Sequence, residues 1–278
     1  MSDRVLHHDR VVAPGASPGK WLYVLHGIYG AGRNWGSVVR RVVRERPDWG
    51  AELVDLREHG GSRGFPLPHT IEAAAEDVAA LSRAIGVPTD AILAHSFGGK
   101  VALAYARCHP DKVRQLWIID STPSAREPSG SAAEMLAIVR RLPGPFPNRD
   151  AAVRALEGEG IATPVAQWMA TNVEATDRGI YRWRLDFDAM EEMLLDFFRT
   201  DLWDVVESPP PGVEIRFVKA EGSDVLTEDA CRRIEAAGRR NGQVILHRVE
   251  GGHWLNAENP AAIESLLVEG LPGSDDRG

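Results

Sequence analysis

Between residues 91 and 108 a short apolar run, Ala91–Ala94, passes through His95-Ser96-Phe97-Gly98-Gly99 into a stretch with Phe97, Val101, Tyr105 and Cys108 at helical spacing. No other segment restricts the fold as much. An apolar strand that stops at a serine and restarts at once as a helix makes a very sharp turn. The residues two places either side of that serine must be small, as in the pattern G-x-S-x-G. Here Ala94 stands in the first glycine position and Gly98 in the second. Ala102, Ala104 and Ala106 allow the helix to pack closely. The plainer alternative is that Ser96 merely caps a helix.

The rest of the chain repeats the same alternation. Trp21–Leu25, Glu52–Leu56, Val113–Asp120, Val213–Lys219 and Val244–Val249 read as further apolar strands. Ser37–Glu45, Thr70–Ile85, Glu228–Ala237 and Pro260–Val268 read as helices with one apolar face. Val5–Ala13 adds one or two short strands. Such a series predicts an α/β fold, a mostly parallel central sheet with helices on both faces.

Residues 121–207 differ, with little strand signal and several short helices. Ser131-Ala-Ala-Glu134 reads as a capping box, Thr163-Pro164 as a helix start, and Asp188–Arg199 repeats Met190, Met193, Leu194, Phe197 and Phe198 on one face. The expected organisation is a core of residues 1–120 and 208–272, a helical cap over 121–207 inserted after the sixth strand, and a disordered tail over 273–278.

The balance of 32 basic and 40 acidic residues, −8 overall, argues against a nucleic-acid or anionic-membrane partner. No apolar stretch approaches bilayer-spanning length, and the start, Met1-Ser2-Asp3-Arg4, leads into no apolar signal region. The two cysteines, Cys108 and Cys231, sit far apart in helical segments, so a reduced, cytoplasmic location is expected. His7, His8, His59, His69, His109 and His247 show no ligand spacing and read as surface or core polar residues. No metal and no cofactor is expected. The expected partner is a small molecule; the sequence does not fix an oligomeric state.

Two further glycine-rich turns carry chemistry. His26-Gly27-Ile28-Tyr29-Gly30 follows a strand, where backbone N–H groups of Ile28 and Phe97 could bind a developing oxyanion. Its G-x-x-G-x-G order, with no Gly-Lys-Ser/Thr following, rules against a phosphate cradle. Glu250-Gly251-Gly252-His253-Trp254 follows the last strand and supplies a histidine late in the chain, matching the order nucleophile, acid, base. Two acids end suitable strands, Asp120 in Ile118-Ile119-Asp120-Ser121 and Asp224 in Glu221-Gly222-Ser223-Asp224. Either could orient His253.

These residues resemble the α/β-hydrolases, most of all the small intracellular esterases of the YbfF type. Five segments carry the resemblance: His26-Gly-Ile-Tyr-Gly30, Val54-Asp-Leu-Arg-Glu-His-Gly-Gly-Ser62, His95-Ser-Phe-Gly-Gly-Lys100, Leu116-Trp-Ile-Ile-Asp120 and Gly252-His-Trp-Leu-Asn-Ala-Glu258. The resemblance implies Ser96 as nucleophile, His253 as base and an acid at Asp120, since the usual superfamily acid position falls on Ser223 and Asp224 is displaced by one. It implies hydrolysis of carboxylic esters or thioesters through an acyl-enzyme. The same fold also houses carbon–carbon bond hydrolases and elimination enzymes, whose sites use arginines under the cap; Arg126, Arg140, Arg141, Arg182 and Arg184 are candidates for that alternative. Trp168, Met169, Met190, Met193, Phe197 and Phe198 are candidate walls of an acyl pocket, although stripes at this spacing are more often core.

Overall fold

The computed structural model describes residues 4–273. The expectations about Met1-Ser2-Asp3 and about the tail beyond Gly273 lie outside the described residues. The first half of the chain comprises β1 (His8–Val11), β2 (Lys20–Leu25), α1 (Gly36–Glu45), β3 (Trp49–Val54), α2 (Ile71–Ile85), β4 (Ala91–His95), α3 (Phe97–Cys108) and β5 (Gln115–Ile119). An insertion follows, with α4 (Ser131–Arg141), α5 (Arg149–Gly158), α6 (Thr163–Met169), β6 (Val173–Ala175), β7 (Tyr181–Trp183), α7 (Phe187–Arg199) and α8 (Trp203–Glu207). The chain then completes its sheet with β8 (Glu214–Ala220), α9 (Glu228–Asn241), β9 (Val244–Val249), α10 (Leu255–Glu258) and α11 (Pro260–Gly270).

The seven-stranded sheet has the order β1-β3-β2-β4-β5-β8-β9, parallel throughout except for the antiparallel edge pair β1–β3. Apolar side chains on successive strand residues face opposite ways and therefore feed two cores. Leu22, Val24, Leu93, Trp117 and Ile119 pack with Val38, Val42, Ile263 and Leu267, the inner faces of α1 and α11. Tyr23, Leu25, Ile92, Ala94 and Ile118 pack with Val78, Val101, Tyr105 and Ile234 of α2, α3 and α9 on the other side. This second core continues into Met135, Leu156, Met190 and Phe197 of the insertion.

Four local readings change. The N-terminal segment supplies one strand, because Pro14-Gly15 turns the chain with Gly15 at φ 75°, so the insertion follows the fifth strand and not the sixth. Ser131 is not the start of a capping box: Gly130, at φ 82°, lets the backbone enter α4 one residue earlier, and no side chain caps it. The insertion also holds a two-stranded hairpin, β6–β7, of three residues a side. Strands that short carry no readable periodicity. Cys108, expected on the buried face of α3, is exposed at its C-terminal end. Among the described residues no helix is long and apolar enough to cross a membrane.

Candidate active site

β4 delivers Ser96 at the carboxyl edge of the sheet, and the turn into α3 holds it at φ 52°, ψ −115°. A non-glycine residue there is strained by roughly 1–3 kcal/mol, tolerated only where the surroundings fix it. They do so through small neighbours. A Cβ on Gly98 would come within 2.7 Å of the His26 carbonyl oxygen, and one on Gly99 within 2.5 Å of Ser121 Cβ. Ser121 Oγ donates to the Ser96 carbonyl at 2.6 Å.

His253 reaches the same point from the loop after β9. Its Nε2 lies 3.1 Å from Ser96 Oγ and its Nδ1 2.7 Å from Asp120 Oδ2. A carboxylate can only accept, so Nδ1 carries the proton and Nε2 is free to accept from the Ser96 hydroxyl. The loop is held from two sides. Glu258 accepts from Gly252 N at 2.6 Å and from Trp254 N at 3.4 Å, which explains the spacing of Gly252-His-Trp-Leu-Asn-Ala-Glu258. The buried His95 donates through Nε2 to the His253 carbonyl at 2.7 Å. Burial, and then the nearby His253, pulls the His95 pKa down to about 3, so it is a neutral donor.

Asp120 follows β5 and is fully buried, at φ 41°. Burial alone would raise its pKa, yet hydrogen bonds from His253 and the Ser223 side chain outweigh it and hold the carboxyl below its ordinary range. Ala220 N adds a bond to Oδ1 at 3.3 Å. Thus Ser223, onto which the resemblance places the usual acid position, supports Asp120. Asp224 is exposed, lines a neighbouring cavity, and makes no hydrogen bond to His253 among the described residues.

The loop His26–Gly30 lies across from α3. The amides of Ile28 and Phe97 donate to no protein group among the described residues. His59, read from sequence as an unremarkable polar residue, shapes this loop. Fully buried, it accepts the Tyr29 amide on Nε2 at 3.1 Å and donates through Nδ1 to the Arg57 carbonyl at 2.8 Å. Desolvation lowers its pKa to about 3, keeping Nε2 available as an acceptor. Tyr29, at φ 62°, is braced from above by Asn172 Nδ2, which donates to its carbonyl at 2.8 Å. Asp55 ties the adjoining turns together by accepting from Gly32 N and Gly61 N, both at 2.8 Å. The signal for His59 was present in Val54-Asp-Leu-Arg-Glu-His-Gly-Gly-Ser62, but nothing local told which backbone it would meet.

Two cavities meet at Ser96. One, of about 480 Å³, is walled by Trp35, Met135, Val165, Trp168 and Trp254; the other, of about 380 Å³, by Phe97, Arg126, Leu194, Phe197 and Phe198. Of the expected pocket residues, Trp168, Phe197 and Phe198 line cavities, whereas Met169, Met190 and Met193 are buried core.

Comparison with known proteins bears on what such a site does. A family model described as the alpha/beta hydrolase family matches residues 22–266. An sn-1-specific diacylglycerol lipase of Xenopus tropicalis is 26% identical over 277 residues, covering 92% of this chain and 81% of its own. A pimeloyl-[acyl-carrier protein] methyl ester esterase of Neisseria meningitidis is 41% identical over 121 residues, 42% of this chain and 44% of its own. A solved marine microorganism esterase superposes with a TM-score of 0.80 at 25% identity, over 95% of this chain and 98% of that one.

Proposed function

Because the chain belongs to the alpha/beta hydrolase family, we propose that it is a serine hydrolase cleaving carboxylic ester or thioester bonds through an acyl-enzyme on Ser96. The observation that carries this reading is the hydrogen-bonded chain Ser96–His253–Asp120, ending at the junction of two cavities. His253 Nε2 takes the Ser96 proton as Oγ attacks the carbonyl carbon. The Ile28 and Phe97 amides stabilise the oxyanion. His253 then protonates the leaving alcohol or thiol, and afterwards activates the water that releases the acid. Asp120 keeps the imidazole in the Nδ1–H tautomer and balances the imidazolium charge. Each donor aimed at the oxyanion contributes on the order of 3 kcal/mol to the lowered barrier. The helices of the insertion act as a cap that walls the substrate.

The test is covalent labelling by a fluorophosphonate, read by peptide mapping, alongside turnover of short acyl esters with and without EDTA. Ser96 carries the label, Ser96→Ala loses about 10⁴–10⁶ in turnover, and chelator has no effect. Labelling at another serine, or near-wild-type turnover in the variant, rejects the assignment.

A further inference from the structure

The cavity of about 380 Å³ differs from its neighbour in carrying a cation. Arg126 lines it and stacks over the Phe198 ring at 5.2 Å from the ring centroid, and the Arg126 amide donates to the Phe198 carbonyl at 2.8 Å. Stem and α7 thus fix the base of this side chain. Its guanidinium makes no ion pair or side-chain hydrogen bond among the described residues. Partial desolvation lowers its pKa with no carboxylate to offset the effect. Arg140 and Arg141, by contrast, are paired to Asp188 and Glu191 and to Glu159, and Arg182 and Arg184 line neither cavity. Asp224 lines the same cavity without reaching it. The buried Lys100 behind Arg126 spends its ammonium on three carbonyls.

The two cavities share Ile28, Ser96, Ser131, Ala132 and His253. An ester carbonyl at Ser96 therefore has one arm in each. The larger cavity is mostly apolar, and Trp168 and Trp254, whose ring centroids lie 4.9 Å apart, pack against each other in its wall. Resting on the ester-hydrolase reading, we propose that the substrate is a two-armed ester with an apolar arm in the larger cavity and a carboxylate on the other arm, received by Arg126. A monoanionic carboxylate matches a single guanidinium fork. A phosphate dianion would face Asp224 with only one cation to hold it.

Three esters test this: phenyl hexanoate, phenyl hydrogen adipate (anion on the acyl arm) and 4-carboxyphenyl hexanoate (anion on the alcohol arm). Their kcat/KM values are measured with the full-length enzyme and with Arg126→Gln and Arg126→Glu, and their affinities with Ser96→Ala by calorimetry. One carboxylate ester exceeds the neutral one by about tenfold, through KM and affinity; the preference is modest because Arg126 is exposed. The ratio falls to near one in Arg126→Gln and reverses in Arg126→Glu, and the anionic ester that responds identifies the arm. Hydrolysis of all three with no anion preference, or a preference untouched by both variants, overturns the proposal and leaves the ester-hydrolase reading standing. Hydrolysis of none of them by the wild-type enzyme overturns that reading and the proposal with it.

Discussion

The sheet half and the insertion solve different problems with different kinds of contact. Around the sheet, the groups at the site come from turns at one edge: Ser96 after β4, Asp120 after β5, His253 after β9 and the Ile28 amide after β2. Ser121 holds the Ser96 turn, and Glu258 and His95 hold the His253 loop; the Ile28–Tyr29 loop is tied to His59 and also to Asn172 of the insertion. The insertion is fixed by a few long-range ties. Leu202 N donates to the Pro123 carbonyl at 2.9 Å, closing its two stems on each other. Lys100 Nζ donates to the carbonyls of Ser124, Phe197 and Thr200 at 2.8, 2.6 and 2.7 Å. Asp196 of α7 accepts the Ile71 amide at the start of α2 at 2.6 Å. The hydrogen-bonded chain Ser96–His253–Asp120 thus sits on the sheet half, while Trp168, Leu194, Phe197 and Phe198 of the insertion line the cavities beside it.

The sharpest way to break this division is to exchange the two acids. Asp120→Asn should cost roughly 10⁴ in turnover, because the amide cannot hold His253 in the Nδ1–H form or balance its charge. Asp224→Asn, on a rim side chain, should cost less than about tenfold. Circular dichroism checks that both remain folded. A reversal would move the acid to the loop after β8, and comparable losses would show that His253 draws on both.

The second prediction concerns the tie itself. Lys100 is fully buried, so Lys100→Met leaves three carbonyls without their ammonium and should destabilise the protein by about 2–4 kcal/mol in denaturant unfolding. Lys112→Met, exposed and paired only with Asp111, should stay within about 0.5 kcal/mol. The pH dependence has a defined sign. Burial, then the Arg126 charge, lowers the Lys100 pKa from 10.5 to about 8. Between those values the unfolded chain binds more protons than the folded one, so this group's contribution to stability rises with pH. The stability of wild type minus that of Lys100→Met should slope upward from about pH 8 to pH 10. A flat or falling difference would mean that the ammonium stays charged among its carbonyls.

The same contrast explains what could be read from the residues alone. β9 agrees with its expected span at both ends, α3 and α1 to within a residue, because apolar period and turn residues are local signals. Ser96 and Asp120 were legible because each directly follows an apolar strand, and His253 because it stands in a glycine-rich loop after the last one; the preference for Asp120 over Asp224 came from the resemblance. The function of Glu258, Ser223 and His59 was not legible, since each serves a backbone group whose position depends on the finished fold. In the insertion, helices were visible but their partners were not. Met190 and Trp168 belong to equally apolar stripes, yet one is buried in the core and the other lines the cavity. Only the crossing of α4, α6 and α7 decides which.

That ambiguity yields the last and smallest effect. If the insertion walls the substrate without holding the reacting atoms, its two kinds of apolar residue should fail differently. Trp168 packs against Trp254 in the wall of the larger cavity and is half-buried. Removing its indole takes away roughly 50 Å² of contact with an apolar arm, about 1.3 kcal/mol at 25 cal/mol per Å², or close to tenfold. Trp168→Ala should therefore lower kcat/KM about tenfold for octanoyl esters, much less for acetyl esters, and leave fluorophosphonate labelling of Ser96 intact. Met190 is fully buried and touches neither cavity. Met190→Ala should cost about 2–5 kcal/mol of stability through the void it leaves, while the octanoyl-to-acetyl ratio stays at the wild-type value. Measuring that ratio for both variants at a temperature where each is folded separates wall from core. If Met190→Ala changed the ratio and Trp168→Ala did not, the arm would lie deeper in the insertion, between α4 and α7, and the boundary between walls and core would have to be redrawn.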